Sequence, residues 1–374
     1  MEKPSNIPFY LKISQILLGI VAFFFILYVG SEIIRPLLFA LILAILLNPL
    51  VEFLQRKKFN RVLAILVTVL LAFIFLSVLL YFIFSQASLF SDTFPQLKIK
   101  FNSMIEQIIH WFSRTFNVSH KKIDGWISKQ TSEGLNNTST VIGHTLTTIG
   151  GLAVTLFLIP VYIFMFLFYK NLFLKFIACL FPTDQHAMVK DVLTETKTLV
   201  QNYLLGLSLE ACIVAALNSA GLLILGIDYA ILLGVIGALL NVIPYIGGLI
   251  AIALPMIIAV ATKSSSSALW VFFVYITVQF IDNHYIVPYV VASKVKINAL
   301  ISIIVVLIGG ALWGVPGMFL SIPLTAIIKV IFDRIEPMKP WGILLGDDME
   351  ATDKNFLSFK RRKPAAKNVK PAEK

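Results

Sequence analysis

Charged residues are scarce in this sequence. Only 14% of the 374 residues are Asp, Glu, Lys or Arg, and 58% are hydrophobic, whereas a soluble globular domain carries about 25% charged residues. So few charges cannot cover a water-soluble surface, which excludes a soluble enzyme or a soluble binding module. The composition therefore predicts an integral membrane protein.

Cysteine, histidine and catalytic motifs are also sparse. The two cysteines, Cys179 and Cys212, fit neither a disulfide framework nor a metal site, and no HExxH, Walker A or dinucleotide-binding fingerprint occurs. Ser208 and His284 suggest a serine nucleophile with its base, but the glycine expected after that serine is missing. We therefore expect no enzyme, no metal and no cofactor. Any pumping would draw on an ion gradient or on the gradient of the solute itself.

The formal net charge of +11 comes from basic residues in short loops and in the tail. Arg56, Lys57, Lys58 and Arg61 cluster between two apolar runs, which is typical of cytoplasmic loops. The basic tail predicts contact with anionic lipid headgroups. The sequence has no basic, aromatic-rich stretch of the kind that binds nucleic acid, so we expect no nucleic-acid partner. This distribution of charge places both termini in the cytoplasm.

Apolar runs of about 20 residues, the length that crosses a bilayer, organise the chain. They predict an all-α, polytopic membrane protein with about eight membrane-embedded segments and a small helical extramembrane insert. The fifth span is expected at about 204–225, after a cytoplasmic amphipathic helix. The predicted regions are 1–84 (three spans), 85–146 (extracytoplasmic helical insert), 147–203 (fourth span and amphipathic helix), 204–333 (two-unit transport core) and 334–374 (cytoplasmic, largely disordered basic tail).

Two of the apolar runs, at about 229–262 and 301–331, are longer than one span and are interrupted by Gly and Pro. Such breaks free backbone N–H and C=O groups, which only protein or a water-filled cavity can satisfy at membrane depth. A matched pair of interrupted segments in two halves of a chain indicates the binding site of a transporter. The predicted substrate-binding residues are Asn241, Pro244, Tyr245, Gly247, Gly248, Gly314, Pro316 and Gly317.

The sequence alone does not decide between two arrangements of each interrupted run. The run either crosses the membrane or enters it and returns to the same side. Crossing gives about eight spans and parallel repeats, whereas dipping gives about six spans plus two re-entrant hairpins in inverted units. Lys294 and Lys296 lie outside in the first arrangement and inside in the second. The excess of cations on the cytoplasmic side favours the hairpins.

Four polar residues in the apolar core are candidates for coupling transport to an ion: Glu210, Gln279, Asp282 and Asn283. Ionisable groups at membrane depth are costly and mark ion or substrate pathways. Offsets of three and four residues place Gln279, Asp282 and Asn283 on one helix face. Asp282 could accept a proton, bind a cation or pair with a solute hydroxyl. Alternatively, it forms an intersubunit ion pair with Lys294 or Lys296, and Glu210 is simply wetted near the end of its span.

Short motifs between residues 200 and 333 form a further pattern. They are Leu225-Gly226, Leu233-Gly234, Ile243-Pro244-Tyr245-Ile246-Gly247, Gln279-Phe280-Ile281-Asp282-Asn283, Pro288, Gly309-Gly310, Gly314, Gly317 and Pro323. In these motifs, and in its three early spans, insert and motif-bearing C-terminal half, the sequence resembles the autoinducer-2 exporter family. Many relatives have Glu where this chain has Asp282, so the carboxylate is kept but reaches less far.

The resemblance implies a bacterial inner-membrane permease. Members of the family are associated with export of autoinducer-2, and others with exchange of sodium or lithium for protons. We therefore expect a secondary transporter that exports a small polar solute by alternating access, with H⁺ or Na⁺ as a possible coupling ion. The alternatives are a monovalent cation/proton antiporter and a non-transporting envelope scaffold or regulator. Small residues such as Gly310 and Gly314 permit close helix contact, and we expect a homo-oligomer.

Overall fold

The computed structural model describes residues 8–85, 114, 157–243, 246–291 and 297–347. Nearly all of the predicted insert and the tail from residue 348 lie outside these ranges, as do Pro244, Tyr245, Lys294 and Lys296. The regular structure of the described residues is entirely helical. The helices are α1 (Phe9–Val29), α2 (Ser31–Arg56), α3 (Arg61–Ser85), α4 (Phe157–Phe168), α5 (Lys170–Cys179), α6 (His186–Ile224), α7 (Ala230–Asn241), α8 (Ile246–Thr262), α9 (Ser265–Ile281), α10 (Ala299–Trp313), α11 (Val315–Arg334) and α12 (Lys339–Leu345).

Within the described ranges, six helical segments are long and apolar enough to cross a membrane. A seventh is added if α4 and α5, which meet at a bend of 61°, form one span. The prediction of an all-helical, multi-pass membrane protein is therefore confirmed. The predicted number of about eight embedded segments, two of them broken spans, stays a prediction.

The sequence places an amphipathic helix before residue 204 and a span after it, but the structure has one continuous helix there. Helix α6 has 39 residues, which corresponds to a length of roughly 58 Å. Its buried residues Val200, Tyr203, Leu204 and Leu207 continue one face across the expected boundary, at the spacing of a helix stripe. No proline lies in α6 to interrupt it, so the polar and the apolar part are one rod.

Helix α6 is joined to α2 at a carbonyl group that a proline leaves free. Pro49 has no N–H with which to bond the carbonyl oxygen of Ile45, four residues earlier. Gln201 of α6 donates its Nε2 to that oxygen at 2.7 Å. Close by, Glu52 Oε1 lies 3.1 Å from Lys170 Nζ and 3.7 Å from Lys197 Nζ. The joint therefore fixes α6 against the N-terminal helices.

Replacement of Gln201 by leucine should loosen this joint. The variant Gln201→Leu keeps the bulk of the side chain but leaves the Ile45 carbonyl unpaired, at a cost of about 1–3 kcal/mol in the free energy of unfolding. We expect a lower midpoint of thermal unfolding for the purified protein in detergent. The exposed Gln185 provides the control, since Gln185→Leu removes no such bond. Equal midpoints for the two variants would show that the joint contributes nothing to stability.

Helices α7 and α8 form a hairpin that starts and ends at the C-terminal end of α6. Lys263, one residue past α8, donates its Nζ to the carbonyl oxygen of Leu225 at 2.7 Å. At the tip, a Cβ atom on Gly247 would overlap the carbonyl oxygen of Leu240. Only glycine permits this approach of the two arms.

Helices α10 and α11 form a second hairpin, which opens toward the opposite end of α6. Asn298, which caps the start of α10, donates its Nδ2 to the carbonyl oxygen of Leu344 at 2.6 Å. Leu344 lies in α12, which follows α11. At the end of α11, Arg334 pairs with Glu195 in the first part of α6 at 2.8 Å. The two hairpins are therefore held to opposite ends of one long helix.

Candidate functional site

The tip of the first hairpin brings an amide against two carboxyl groups from different helices. Asn241 is the last residue of α7. Its Nδ2 lies 2.8 Å from Oδ2 of Asp282 and 3.5 Å from Oε1 of Glu210. Glu210 lies in α6, and Asp282 directly follows α9. One amide group therefore links three elements, and we call these three residues the carboxylate cluster.

The two carboxyl groups of this cluster are withdrawn from solvent. Glu210 is 6% exposed and Asp282 is 1% exposed. Oδ1 of Asp282 has no hydrogen-bond partner among the described residues. Two negative charges buried this close repel each other and lose their hydration, and either a proton or a monovalent cation between them relieves both costs. The arrangement is therefore chemically suited to take up and release one positive charge.

Three further predicted residues line the same site. Gln279 Nε2 lies 3.5 Å from Asp282 Oδ2 and 3.5 Å from Asn283 Oδ1, as expected from their offsets of three and four residues. Gly248 faces them from α8, where a Cβ atom would lie 3.1 Å from Gln279 Oε1. The absence of a side chain at Gly248 lets the second arm of the hairpin approach the cluster.

The helix that carries Asp282 changes its winding at that residue. Residues Asp282–Val291 form a π-helix that contains Pro288. Such wider turns are frequent at functional sites, and the proline removes one backbone donor from the segment. The sequence motif around Pro288 marks the position, but hydrophobic periodicity alone cannot distinguish a π-helix from an α-helix.

The second hairpin tip carries no comparable polar cluster among the described residues. Gly314 has φ +64° and ψ −145°, a conformation that only glycine adopts readily, and Gly317 packs against the backbone of Gly309. Trp313 beside the tip belongs to an apolar cluster that Val242 of the first tip also contacts. The predicted binding residues Gly314, Pro316 and Gly317 therefore border the first tip across an apolar layer. No hydrogen bond is described between them and the carboxylate cluster.

The residues that suggested a serine nucleophile make local contacts instead. Ser208 donates its hydroxyl to the carbonyl oxygen of Leu204, one turn earlier, at 2.8 Å. His284 is exposed, stacks on Phe280 and lies 3.0 Å from the carbonyl oxygen of that residue. Neither residue is described in contact with the other.

A polar groove lies between α6 and the end of α11. It has a volume of about 490 Å³ and is lined by Asp191, Thr194, Glu195, Thr198, Leu199, Asn202 and Arg334. The ion pair between Glu195 and Arg334 joins its two walls. Glu195 and Glu210 are separated by 15 residues of α6, roughly 22 Å along the helix.

The fold and the site together define a class of protein. Membrane-embedded helices that bury ionisable groups in their interior are typical of proteins that move solutes or ions. Residues 17–336 match the sequence profile of the family described as "AI-2E family transporter". The chain belongs to this family and is a multi-pass membrane transporter.

Individual relatives match over most of the chain. YrrI of Bacillus subtilis (strain 168) is 27% identical over 343 residues, which cover 88% of this chain and 97% of YrrI. YueF of the same organism is 27% identical over 357 residues, covering 92% of this chain and 90% of YueF. The AI-2 transport protein TqsA of Escherichia coli (strain K12) is 25% identical over 319 residues, covering 85% of this chain and 90% of TqsA.

Proposed function

We propose that this transporter exports a small polar solute of the autoinducer-2 type across the bacterial inner membrane, driven by a proton that the carboxylate cluster carries. The observation that supports this most directly is the hydrogen bonding of Asn241 to both Glu210 and Asp282. Protonation of either carboxyl group changes what the hairpin tip binds. A proton can therefore bias the position of the hairpin, which is the requirement for coupling.

We further propose that both hairpins are re-entrant and enter the membrane from opposite sides. Lys263 and Arg334 lie at the ends of the returning arms and contact opposite ends of α6. The first hairpin would then close the path on one side and the second hairpin on the other. Alternating access would follow if one hairpin opens while the other stays held.

The resulting sequence of events starts at the polar groove near Glu195 and Arg334, on the cytoplasmic side. The solute reaches the tips of the hairpins, where the amides of Asn241 and Gln279 offer hydrogen bonds. On the other side the solute leaves and a proton binds to one carboxylate of the cluster. The tip of α7–α8 then returns, and release of the proton to the cytoplasm completes the exchange. The name of TqsA, AI-2 transport protein, supports this class of solute.

A second candidate function is exchange of Na⁺ or Li⁺ for protons. The specific observation that favours it is the set of oxygen atoms at the cluster, since hard cations prefer carboxylate and carbonyl oxygen ligands. Asp282 Oδ1 is buried without a described partner and is free to bind such an ion. In this case the cation itself is the solute, and it competes with the proton for the same two carboxyl groups.

We also propose that the chain works as a homo-oligomer with cytoplasmic termini and a lipid-bound basic tail. Helix α1 has no buried residue, so its apolar surface is available to lipid or to a second copy of the chain. Arg56, Lys57 and Lys58 are exposed at the end of α2, as expected of a loop that contacts anionic headgroups.

Purified protein in sealed vesicles tests the function. An imposed pH gradient should drive movement of autoinducer-2, or of Na⁺ or Li⁺, and dissipation of the gradient should require the transported species. Movement of autoinducer-2 alone supports the exporter, and movement of the cations alone supports the antiporter. No flux of any of these species under any gradient would contradict both and favour a scaffold or regulator.

A further inference from the structure

Three layers of side chains follow one another along the interface of α6, α7 and α9. The first is the carboxylate cluster. The second consists of Val214, Ala238 and Val278, which belong to one buried apolar cluster, and we call it the apolar collar. The third consists of Asn218, Gly237 and Tyr275. Along α6 and α9 the steps between layers are three or four residues, roughly 4.5 to 6 Å. On α7, Gly237 directly precedes Ala238, so the second and third layers adjoin there.

The third layer is polar and almost fully buried. Asn218 is 2% exposed and Tyr275 is 4% exposed. Oδ1 of Asn218 has no hydrogen-bond partner among the described residues, and the Tyr275 hydroxyl makes only a long described bond, 3.5 Å, to the carbonyl oxygen of Leu233. Both side chains can therefore form further hydrogen bonds.

A glycine stands between these two side chains. A Cβ atom on Gly237 would lie 3.2 Å from the Tyr275 hydroxyl oxygen and 3.6 Å from Asn218 Nδ2. Two polar groups thus meet at the bare backbone of α7. A buried polar group without a partner is costly, and buried water commonly supplies the missing bond where several polar groups converge.

We propose that Asn218, Tyr275 and the backbone at Gly237 form a second hydrogen-bonding station, which holds water and passes the coupling proton to the carboxylate cluster. This inference rests on the proposed function. The station lies between the cluster and the C-terminal end of α6, where the first hairpin is held by Lys263. It therefore lies on the route that opens when that hairpin moves.

The apolar collar is the barrier on this route. While it is dry, no chain of water joins the station to Asp282, so protons cannot leak past a closed hairpin. When the hairpin moves and water enters the collar, a hydronium ion at the station can release its proton. An O–H bond of the hydronium breaks, the proton joins a carboxylate oxygen of Asp282, and a neutral water molecule remains.

Radiolytic hydroxyl-radical footprinting of the full-length protein tests for the bound water, since buried side chains are oxidised quickly only where water touches them. Tyr275 should be oxidised faster than Tyr203, which is similarly buried, at 5% exposure. Both tyrosines belong to buried apolar clusters, but Tyr275 also lies at the proposed station. In the variant Asn218→Leu, oxidation of Tyr275 should fall about fivefold, the factor that one lost hydrogen bond of usual strength gives. Oxidation of Tyr203 should not change. Equal rates for the two tyrosines, or no effect of Asn218→Leu, would overturn the proposal.

The collar is tested separately by proton leak into vesicles without any solute. The variant Val214→Asn wets the collar and should leak protons, whereas Val306→Asn, at an equally buried position in α10, should not. Absence of leak in a folded Val214→Asn protein would contradict the role of the collar. Neither readout needs solute flux, so failure of the station is distinguishable from failure of the proposed function.

Discussion

The variant Asp282→Asn should lose all dependence of transport on the pH gradient. Asparagine keeps the size of the side chain and its hydrogen bond to Asn241, but it cannot take up a proton. A coupling free energy of 1–3 kcal/mol corresponds to about a 5- to 150-fold difference between flux with and without the gradient. That ratio should fall to about one in this variant. Flux in sealed vesicles, at equal protein content and with the gradient imposed or absent, measures it.

Asp228 provides the matched control for this prediction. It lies in the exposed turn between α6 and α7, so Asp228→Asn removes the same charge without touching the carboxylate cluster and should retain coupling. Retention of full gradient-driven flux in Asp282→Asn would instead show that the coupling proton binds elsewhere. Equal flux with and without the gradient, in the wild type and in Asp282→Asn, would indicate a facilitator of a neutral solute. Glu210→Gln should behave like Asp282→Asn if the two carboxyl groups share one proton.

The variant Asn241→Leu should transport slowly while it stays folded. Leucine has a similar volume, but it leaves Glu210 and Asp282 without the amide that bridges them. Hydrogen bonds to charged groups contribute about 1.5–3 kcal/mol, so we expect a loss of about 10- to 100-fold in the rate of transport. Initial rates of flux in vesicles measure the loss, and thermal unfolding in detergent shows that the protein is intact.

Asn171 provides the matched control, because it lies outside the carboxylate cluster and permits the same substitution. It is exposed on α5, so Asn171→Leu changes the chemistry in the same way without contact to the cluster, and its rate should equal that of the wild type. If Asn241→Leu transports as fast as Asn171→Leu, the bridge is not part of the transport cycle.

Several features of the fold were predictable from residue types alone. Scarcity of charge and the length of the apolar runs predict a helical membrane protein, which the structure confirms. Proline and glycine at 244–248 and 314–317 predict two interruptions. Helix α7 ends at Asn241 and α8 begins at Ile246, and α10 ends at Trp313 and α11 begins at Val315, whereas the assignment of either pair to one broken span stays a prediction. By contrast, the change from polar to apolar composition at Leu204 suggests a separate surface helix before it. The structure has one helix there, because no residue at that point interrupts it.

Which side chains meet at the candidate site was only partly predictable from the sequence. Helical spacing places Gln279 near Asp282, since both lie on one element. That Glu210 and Asn241 join them depends on the packing of α6 against the hairpin, which is a long-range contact without a local signal. The glycines of the second tip correspond to those of the first, which suggests that both tips bind the solute. In the structure, Trp313 and Val242 form an apolar layer at the second tip. The spacing of Glu210, Val214 and Asn218 already marks one face of α6, although it assigned no role to Asn218.

Proton uptake by the purified protein in detergent, followed with a pH indicator during titration with Na⁺ or autoinducer-2, tests the carboxylate cluster most directly. Because linkage between two ligands is reciprocal, binding of the transported species should change the number of bound protons by up to about one per chain. The double variant Glu210→Gln/Asp282→Asn should show no change. An identical proton signal in the double variant, or none in a wild type that binds its solute, would contradict the assignment of the coupling proton to these two residues.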